Sequence, residues 1–274
     1  MNLALPHWHF SPALRRGAIL VGIWLLLVAG ADLLAPYDPT IRSVKEVFLS
    51  PSWAHWFGTD EEGRDVFSRA IFASRLDLAL AVLGVFPPFA IGTILGLLAA
   101  HGGDFGETIL KFLARTVGAF PTYLLAIPIV ALVGPGLRGF LVAVALTGWI
   151  GYAVKVQSET RRLKQSDFVT AGRGLGFGGF RILVLHIFPN SLLPALLLAV
   201  SDICSMLLLG CTLGFFGLIA PAGDVEWGAM IAQGAANLDS AWWLALFPGL
   251  VVLAMATGFN LLSQGLAERF GSEG

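Results

Sequence analysis

Long uninterrupted apolar runs dominate the chain, and shorter polar stretches separate them. A helix needs roughly 20 residues to cross a hydrocarbon core of about 30 Å. Six windows approach or exceed that length, at about residues 17–35, 78–100, 112–133, 138–157, 191–218 and 241–263. Runs such as IWLLLVAGADLLA and SLLPALLLAV do not alternate between apolar and polar positions, as a transmembrane β-barrel would require. The pattern therefore predicts an all-α integral membrane protein with six transmembrane helices.

Composition supports this assignment. Of the 274 residues, 56% are hydrophobic and 13% are charged, with a mean hydropathy of +0.78. The formal net charge of -1 provides no basic field that would attract nucleic acid. The first window follows Arg15 and Arg16 and has the outline of a cleaved signal peptide, but its apolar run is long for one. We therefore expect the first helix to be retained.

The cations are distributed unevenly between the loops. With the N-terminus in the cytoplasm, 11 of the 17 Lys and Arg residues fall inside and 6 fall outside, which is the direction that the positive-inside rule requires. The opposite orientation would place the basic stretch 155–181 outside. The sequence thus predicts a multi-pass protein of the bacterial cytoplasmic membrane, in contact with lipid, with both termini cytoplasmic.

The loops indicate how the chain is organised, and no internal repeat is strong enough to divide it into halves. Residues 1–77 would hold an N-terminal tail, the first helix and a long outside segment. Residues 78–274 would form a core with five helices, including an inside loop at 158–189. A second outside segment precedes the sixth helix. We expect one membrane domain.

The inside loop contains the segment DFVTAGRGLGFGGFRILVLHIFPN, from Asp167 to Asn190. Its glycines spell G-x-G-x-x-G, but that fingerprint binds nucleotides only between a strand and a helix, so no bound cofactor is expected. Ser166 or Asp167 can cap a short helix, and the glycines then permit a sharp break before FRILVLHIF forms a helix ending at Pro189. The segment is interpreted either as a docking corner or as a plain interfacial loop.

Three motifs resemble one family of membrane proteins. The segment above resembles the EAA signature of bacterial ABC-importer permeases, in which an inside loop enters a groove on the ATPase subunit. HWFGTDEEGRDVFSR and LGFFGLIAPAGDVEWGAMI resemble segments of the dipeptide, oligopeptide and nickel branch. The chain departs from that branch at Thr170, Ala171 and Gly172, where a glutamate and two alanines are usual, and at Pro221-Ala222-Gly223, where a proline pair is usual. The first departure removes an acid that would pair with the ATPase.

The resemblance implies a type I permease with six transmembrane helices, a transport subunit and not an enzyme, with ATP hydrolysed by partner chains. Its expected partners are a second, different permease subunit, two ABC ATPase subunits and an extracytoplasmic substrate-binding protein, and its cargo would be a peptide, nickel or a metal chelate. The residues expected to couple to the ATPase are Phe168, Val169, Ala171, Arg173, Leu175 and Gly176. The residues expected in the outside docking segments are Asp60, Gly63, Arg64, Asp65, Glu226, Trp227 and Gly228.

Catalytic and metal-binding motifs are lacking in the sequence. The five histidines are scattered, although His7 and His9 flank Trp8, and Cys204 and Cys211 lie too far apart along a helix for a disulfide. We expect no catalytic or metal site.

Asp202 is the ionisable residue to consider within the membrane. A buried acid at that depth is costly and usually faces a water-filled cavity. Asp202 is interpreted either as part of the translocation path or as a packing residue held by Ser201 or Ser205. A secondary transporter, independent of ATP, is the alternative to an ABC permease, but a single acid is little support for a coupling-ion site.

Overall fold

The computed structural model describes residues 11–220 and 225–270, and most of these residues are helical. The short helices and turns join longer helices that carry most of the apolar residues. In chain order the helices are α1 (Pro12–Ala29), α2 (Ala31–Leu34), α3 (Val66–His101), α4 (Gly103–Gly118), α5 (Thr122–Val133), α6 (Leu137–Thr147), α7 (Trp149–Lys164), α8 (Asp167–Gly174), α9 (Gly179–Ile182), α10 (Phe188–Phe215), α11 (Trp227–Ala235), α12 (Leu238–Ala241) and α13 (Trp243–Phe270).

Four spans in the described ranges are long and apolar enough to cross a membrane, namely α1, α3, the continuous stretch Gly179–Phe215, and α13. The number becomes six when each of two bent pairs counts as one span. The pair α4 and α5 meets at 82°, and the pair α6 and α7 meets at 41°. The predicted all-α fold is confirmed, and the windows 112–133 and 138–157 each contain a bend that hydropathy did not indicate. Pro121 precedes α5 and Gly148 interrupts the second pair, and both residue types favour helix ends.

The second span starts earlier than its apolar window indicates. Helix α3 begins at Val66, twelve residues before the predicted start at 78, because Asp65 caps its first turn. This first part carries buried polar residues, which lower its hydropathy without interrupting the helix. The predicted domain boundary between residues 77 and 78 therefore falls inside α3, and that division of the chain stays a prediction.

Helix α3 is the centre of the bundle and contacts α6, α7 and α10. Its closest neighbour is α7, and two glycines permit the approach. A Cβ on Gly92 would lie 2.4 Å from the Trp149 carbonyl oxygen, and one on Gly96 would lie 2.5 Å from that of Ala153. Small residues four positions apart allow helices to pack with their backbones in contact. The C-terminal half of α3 and helix α7 therefore run side by side in the same direction.

The helix that follows the glycine-rich loop does not end at Pro189, as the sequence predicts. Helix α9 continues through a π-helical turn, Leu183–Ile187, directly into α10. Pro189 lies in the first turn of α10. A widened turn is a common way to continue a helix across a position that lacks an N–H group. Residues 179–215 therefore form one continuous helix of 37 residues.

The two ends of the bundle differ in character. We call one the tryptophan end; it holds the segment between α2 and α3 together with α11 and α12, and it carries Trp53, Trp56, Trp227 and Trp242. We call the other the basic end; it holds the loop around α8, with Lys164, Arg173 and Arg181.

Candidate functional site

At the tryptophan end, the motif residues of the first predicted docking segment are buried and hold a tight turn. The Asp60 carboxylate accepts hydrogen bonds from the backbone N–H groups of Glu62 and Arg64, at 2.9 Å each, and forms an ion pair of 2.7 Å with Nε of Arg64. Gly63 has a φ of 73°, and a Cβ there would collide with the Ser43 carbonyl group. Asp60 and Arg64 are each 3% exposed, so a partner protein cannot reach their side chains directly.

Asp65 fixes the start of α3. Its carboxylate accepts hydrogen bonds from the Ser68 backbone N–H, at 2.8 Å, and from the Ser68 hydroxyl, at 2.7 Å. Nδ1 of His55 lies 2.9 Å from the other oxygen. Arg69, which the sequence analysis did not single out, is 1% exposed, and its Nε lies 3.5 Å from the Asp60 carboxylate. The motif around residues 55–69 thus builds a buried polar cluster at the tryptophan end.

The second predicted docking segment is also buried. Glu226 precedes α11, and its carboxylate accepts hydrogen bonds from the N–H groups of Gly228, at 2.9 Å, and Ala229, at 2.6 Å. Trp227 is fully buried, and its indole N–H donates to the Ala70 carbonyl oxygen at 2.8 Å. The predicted Pro221-Ala222-Gly223 departure lies outside the described residues, as do His7 and His9.

Asp77 on α3 is a residue that the sequence analysis missed. Its carboxylate accepts a hydrogen bond from the Trp227 backbone N–H at 3.0 Å, and the Cys211 thiol lies 3.7 Å away. Two buried carboxylates, Asp77 and Glu226, therefore hold the three consecutive N–H groups of residues 227–229. Burial raises the pKa of Glu226 to about 6, although its two backbone hydrogen bonds act in the opposite direction. This arrangement seats α11 on the transmembrane helices, because free N–H groups at a helix start stabilise nearby anions.

At the basic end, α8 and the following turn form a compact corner. Val169 is fully buried and packs with Leu163, Ile182 and Ile187. Val169 therefore holds the corner together, and its role in coupling to the ATPase stays a prediction. Ser166 lies at the N-cap position, but its hydroxyl donates to the Leu163 carbonyl oxygen at 2.6 Å and does not cap the helix.

The turn after α8 depends on Gly176. Its φ is 81°, in the left-handed region that favours glycine. The Gly176 N–H donates to the Arg173 carbonyl at 2.9 Å, and the Phe177 N–H donates to the Gly172 carbonyl at 3.0 Å. These two hydrogen bonds are the Schellman pattern that ends many helices. The corner is therefore a defined turn and not an irregular loop.

Several side chains of the corner face outward. Phe168 is 45% exposed and Leu175 is 75% exposed, and Phe180, which the sequence analysis did not single out, is 79% exposed. Ala171 and Arg173 are exposed beside them. The result is an apolar surface with a basic edge, held at the end of a long helix.

Between α7, α10 and α13 lies an open groove of about 820 Å³. Its polar lining comes from Lys155, Glu159, Arg162, Asn190, Ser201 and Ser263. Asp202 follows Ser201 on α10 and is partly buried, near Tyr152 of α7. Ser201 lines the groove and Asp202 is not among its lining residues, while the tryptophan-end residues and the corner lie at opposite ends of the bundle.

An all-α bundle with several membrane spans, a polar groove and an exposed corner defines a membrane transport component. The profile of the family described as "Binding-protein-dependent transport system inner membrane component" matches residues 92–272. The chain belongs to this family, and its fold is the type I ABC permease fold.

Named relatives are similar over most of their length. The dipeptide transport system permease protein DppC of Alkalihalophilus pseudofirmus is 34% identical over 252 residues, covering 92% of this chain and 83% of that protein. The probable D,D-dipeptide transport system permease protein DdpC of Escherichia coli is 33% identical, covering 94% and 87%. The glutathione transport system permease protein GsiD of Pectobacterium atrosepticum is 34% identical, covering 92% and 85%.

Proposed function

We propose that this chain is a permease subunit of an ATP-driven importer of short peptides. The observation that carries the proposal is the corner at the basic end, which presents Phe168, Leu175 and Phe180 outward from the end of the continuous helix 179–215. That helix also lines the groove, through residues that include Asn190 and Ser201. The corner is continuous with a helix that lines the groove. A movement of a partner bound at the corner can therefore be passed to the transport path. The similarity to dipeptide and glutathione permeases supports a peptide as cargo.

The partners follow from the two ends of the bundle. Two ABC ATPase subunits would bind the corner and hydrolyse ATP, since the chain itself carries no nucleotide-binding motif. A second, different permease would complete the transport path, and an extracytoplasmic substrate-binding protein would deliver cargo at the tryptophan end. In this arrangement α8 acts as a coupling helix and corresponds to the EAA signature. The exposed Trp53, and not the buried motif residues, would offer contact area to the binding protein.

The orientation belongs to the same proposal. The basic end would face the cytoplasm together with both termini, and the tryptophan end would face outward. A reporter that is active only outside the cytoplasm should give a signal when fused after residue 50 and none when fused after residue 165. A signal at 165 would contradict both the orientation and the binding of the ATPase at the corner.

Reconstitution tests the function itself. The purified complex in proteoliposomes, with its binding protein, should take up labelled dialanine when ATP is present on the ATPase side. Uptake of a nickel chelate and not of dialanine would move the cargo to the metal branch. Uptake that needs an ion gradient and no ATPase subunits would replace the ABC assignment with a secondary transporter.

A further inference from the structure

Six aromatic side chains at the tryptophan end form one continuous cluster. They come from the loop before α3, from the first turn of α3 and from the start of α13. In order of contact they are Trp56, Phe67, Phe57, Phe247, Trp242 and Trp243. The centroids of successive rings lie between 4.3 and 6.1 Å apart, which is close to the spacing that aromatic pairs prefer. We call this group the aromatic cluster; it ties the loop before α3 to two membrane spans.

Two tryptophans give the aromatic cluster its exposed surface. Trp56 is 55% exposed and Trp242 is 49% exposed, whereas Trp243 is buried. About half of the surface of each exposed tryptophan is therefore available to the surroundings of the protein.

The indole N–H groups also distinguish these two tryptophans from the buried ones. Those of Trp149, Trp227 and Trp243 each donate to a backbone carbonyl oxygen, at 3.1, 2.8 and 3.2 Å. Those of Trp56 and Trp242 donate to no acceptor in the part of the chain that the structure describes. The indole group is a donor only, so each of the two rings combines an apolar face with a donor that can reach an oxygen atom outside the chain.

The length of α13 indicates the depth of the aromatic cluster in the membrane. The helix has 28 residues, or about 42 Å at a rise of 1.5 Å per residue. A bilayer is about 40–45 Å thick with its headgroups, and its hydrocarbon core is about 30 Å thick. A helix of this length reaches from one headgroup layer to the other, and Arg269 in its last turn suits the far layer. Trp242, which directly precedes α13, therefore lies at the level of the headgroups.

An exposed apolar face continues from Trp242 into the membrane span. Leu246, Leu250 and Leu253 follow at intervals that place them on one face of α13. They are 47%, 47% and 61% exposed. A soluble partner could cover Trp242 but could not follow this face into the hydrocarbon core. Lipid covers both parts, because its acyl chains match the leucines and its headgroup region matches the tryptophan.

We propose that Trp56 and Trp242 bind lipid at the boundary between acyl chains and headgroups, in the leaflet at the tryptophan end. Each ring lies against the upper part of the acyl chains, and its indole N–H donates to a phosphate or ester oxygen. Amphipathic aromatic rings favour this level of the bilayer. Since Trp56 also packs against Phe67, the lipid contact holds the loop before α3 at the membrane surface. This inference goes beyond the proposed function, and it requires neither a peptide cargo nor an ATPase.

Fluorescence quenching of the intact transport complex in nanodiscs tests the lipid contact. The lipid is phosphatidylcholine that is unbrominated, brominated near the headgroup or brominated near the chain ends, because bromine quenches tryptophan on contact. Subtracting the emission of Trp56→Phe or of Trp242→Phe from that of the wild type isolates one tryptophan in each case. Each isolated signal should be quenched at least about twofold more strongly by bromine near the headgroup than by bromine near the chain ends or by iodide in the water.

Trp227 provides the buried control. Its signal, isolated with Trp227→Phe, should respond neither to the brominated lipids nor to iodide, because the side chain is fully buried. Trp56→Phe and Trp242→Phe keep an aromatic ring at a half-exposed position, and if one of them does not assemble, the other decides. Quenching by iodide alone would place the rings in water, and quenching by none of the three would show that another subunit covers them. Either result, or lipid quenching of only one of the two tryptophans, would overturn the proposal.

Discussion

Replacing Gly176 by leucine is the sharpest test of the corner at the basic end. Gly176 has a φ of 81°, and a Cβ at this position would meet nothing within 4 Å. The substitution therefore creates no collision, and its cost comes from the backbone alone. A residue with a Cβ pays about 1–2 kcal/mol in the left-handed conformation. This cost lowers the ratio of molecules with the folded turn to molecules with an opened turn by about 5- to 30-fold.

The consequence should be a loss of coupling and not of abundance. The open corner would no longer hold Phe168 and Leu175 in one surface, so the ATPase would bind weakly or hydrolyse ATP without transport. We expect Gly176→Leu to insert normally and to lower substrate uptake for each ATP hydrolysed. The assay is uptake and ATPase activity of the reconstituted complex, both normalised to inserted permease.

Two control substitutions isolate the backbone effect. Asparagine enters the left-handed region more readily than leucine, so Gly176→Asn should retain most of the uptake. Gly178 has an ordinary φ of -64°, and a Cβ there would also meet open space, so Gly178→Leu should be tolerated. Full uptake by Gly176→Leu, or an equal loss by Gly178→Leu, would refute the coupling argument.

Two further predictions concern the seat of α11. Trp227→Phe removes the indole hydrogen bond to the Ala70 carbonyl and leaves a cavity, so it should destabilise the protein by about 2–3 kcal/mol and lower the thermal midpoint in detergent. The control Trp53→Phe, at a side chain that is 98% exposed, should leave the midpoint unchanged. Equal midpoints for the two variants would contradict the packing role of Trp227. The raised pKa of Glu226 means that the folded state binds the proton of this carboxyl more tightly than the unfolded state does. The contribution of Glu226 to the free energy of unfolding should therefore fall as pH rises from about 4.5 to about 6 and stay constant above that pH. Glu226→Gln should make the thermal midpoint less dependent on pH between those two values. An unchanged pH dependence would show that another group titrates.

The sequence predicted the helices well and their directions poorly. Hydropathy identifies which residues avoid water, so all six apolar windows overlap spans or bent pairs. It says little about where a span turns, and the bend of 82° between α4 and α5 therefore went unpredicted. Proline was an inconsistent guide to helix breaks. Pro121 lies at the sharp bend before α5, whereas Pro189 lies inside a continuous helix.

Some features of the candidate site could likewise be predicted from the sequence, and others could not. Positive φ at Gly176 could be expected because the residue type itself carries that information. The contact between Asp77 and the Trp227 backbone joins residues 150 positions apart, and no local pattern encodes such a pair. The proximity of Tyr152 to Asp202 likewise depends on how α7 and α10 pack. The sequence could also not show that Asp60 and Arg64 are buried, since charged residues in a polar segment are usually exposed.

The continuity of the helix 179–215 across its π turn has a mechanical consequence. Where helical hydrogen bonds continue from turn to turn, rotation and axial thrust at one end reach the other, whereas a break at Pro189 would have absorbed them. Residue 202 lies 23 positions from residue 179, or about 35 Å along the axis. A twist applied at the corner would therefore turn the helix at Asp202, and with it the neighbouring Ser201, which lines the groove.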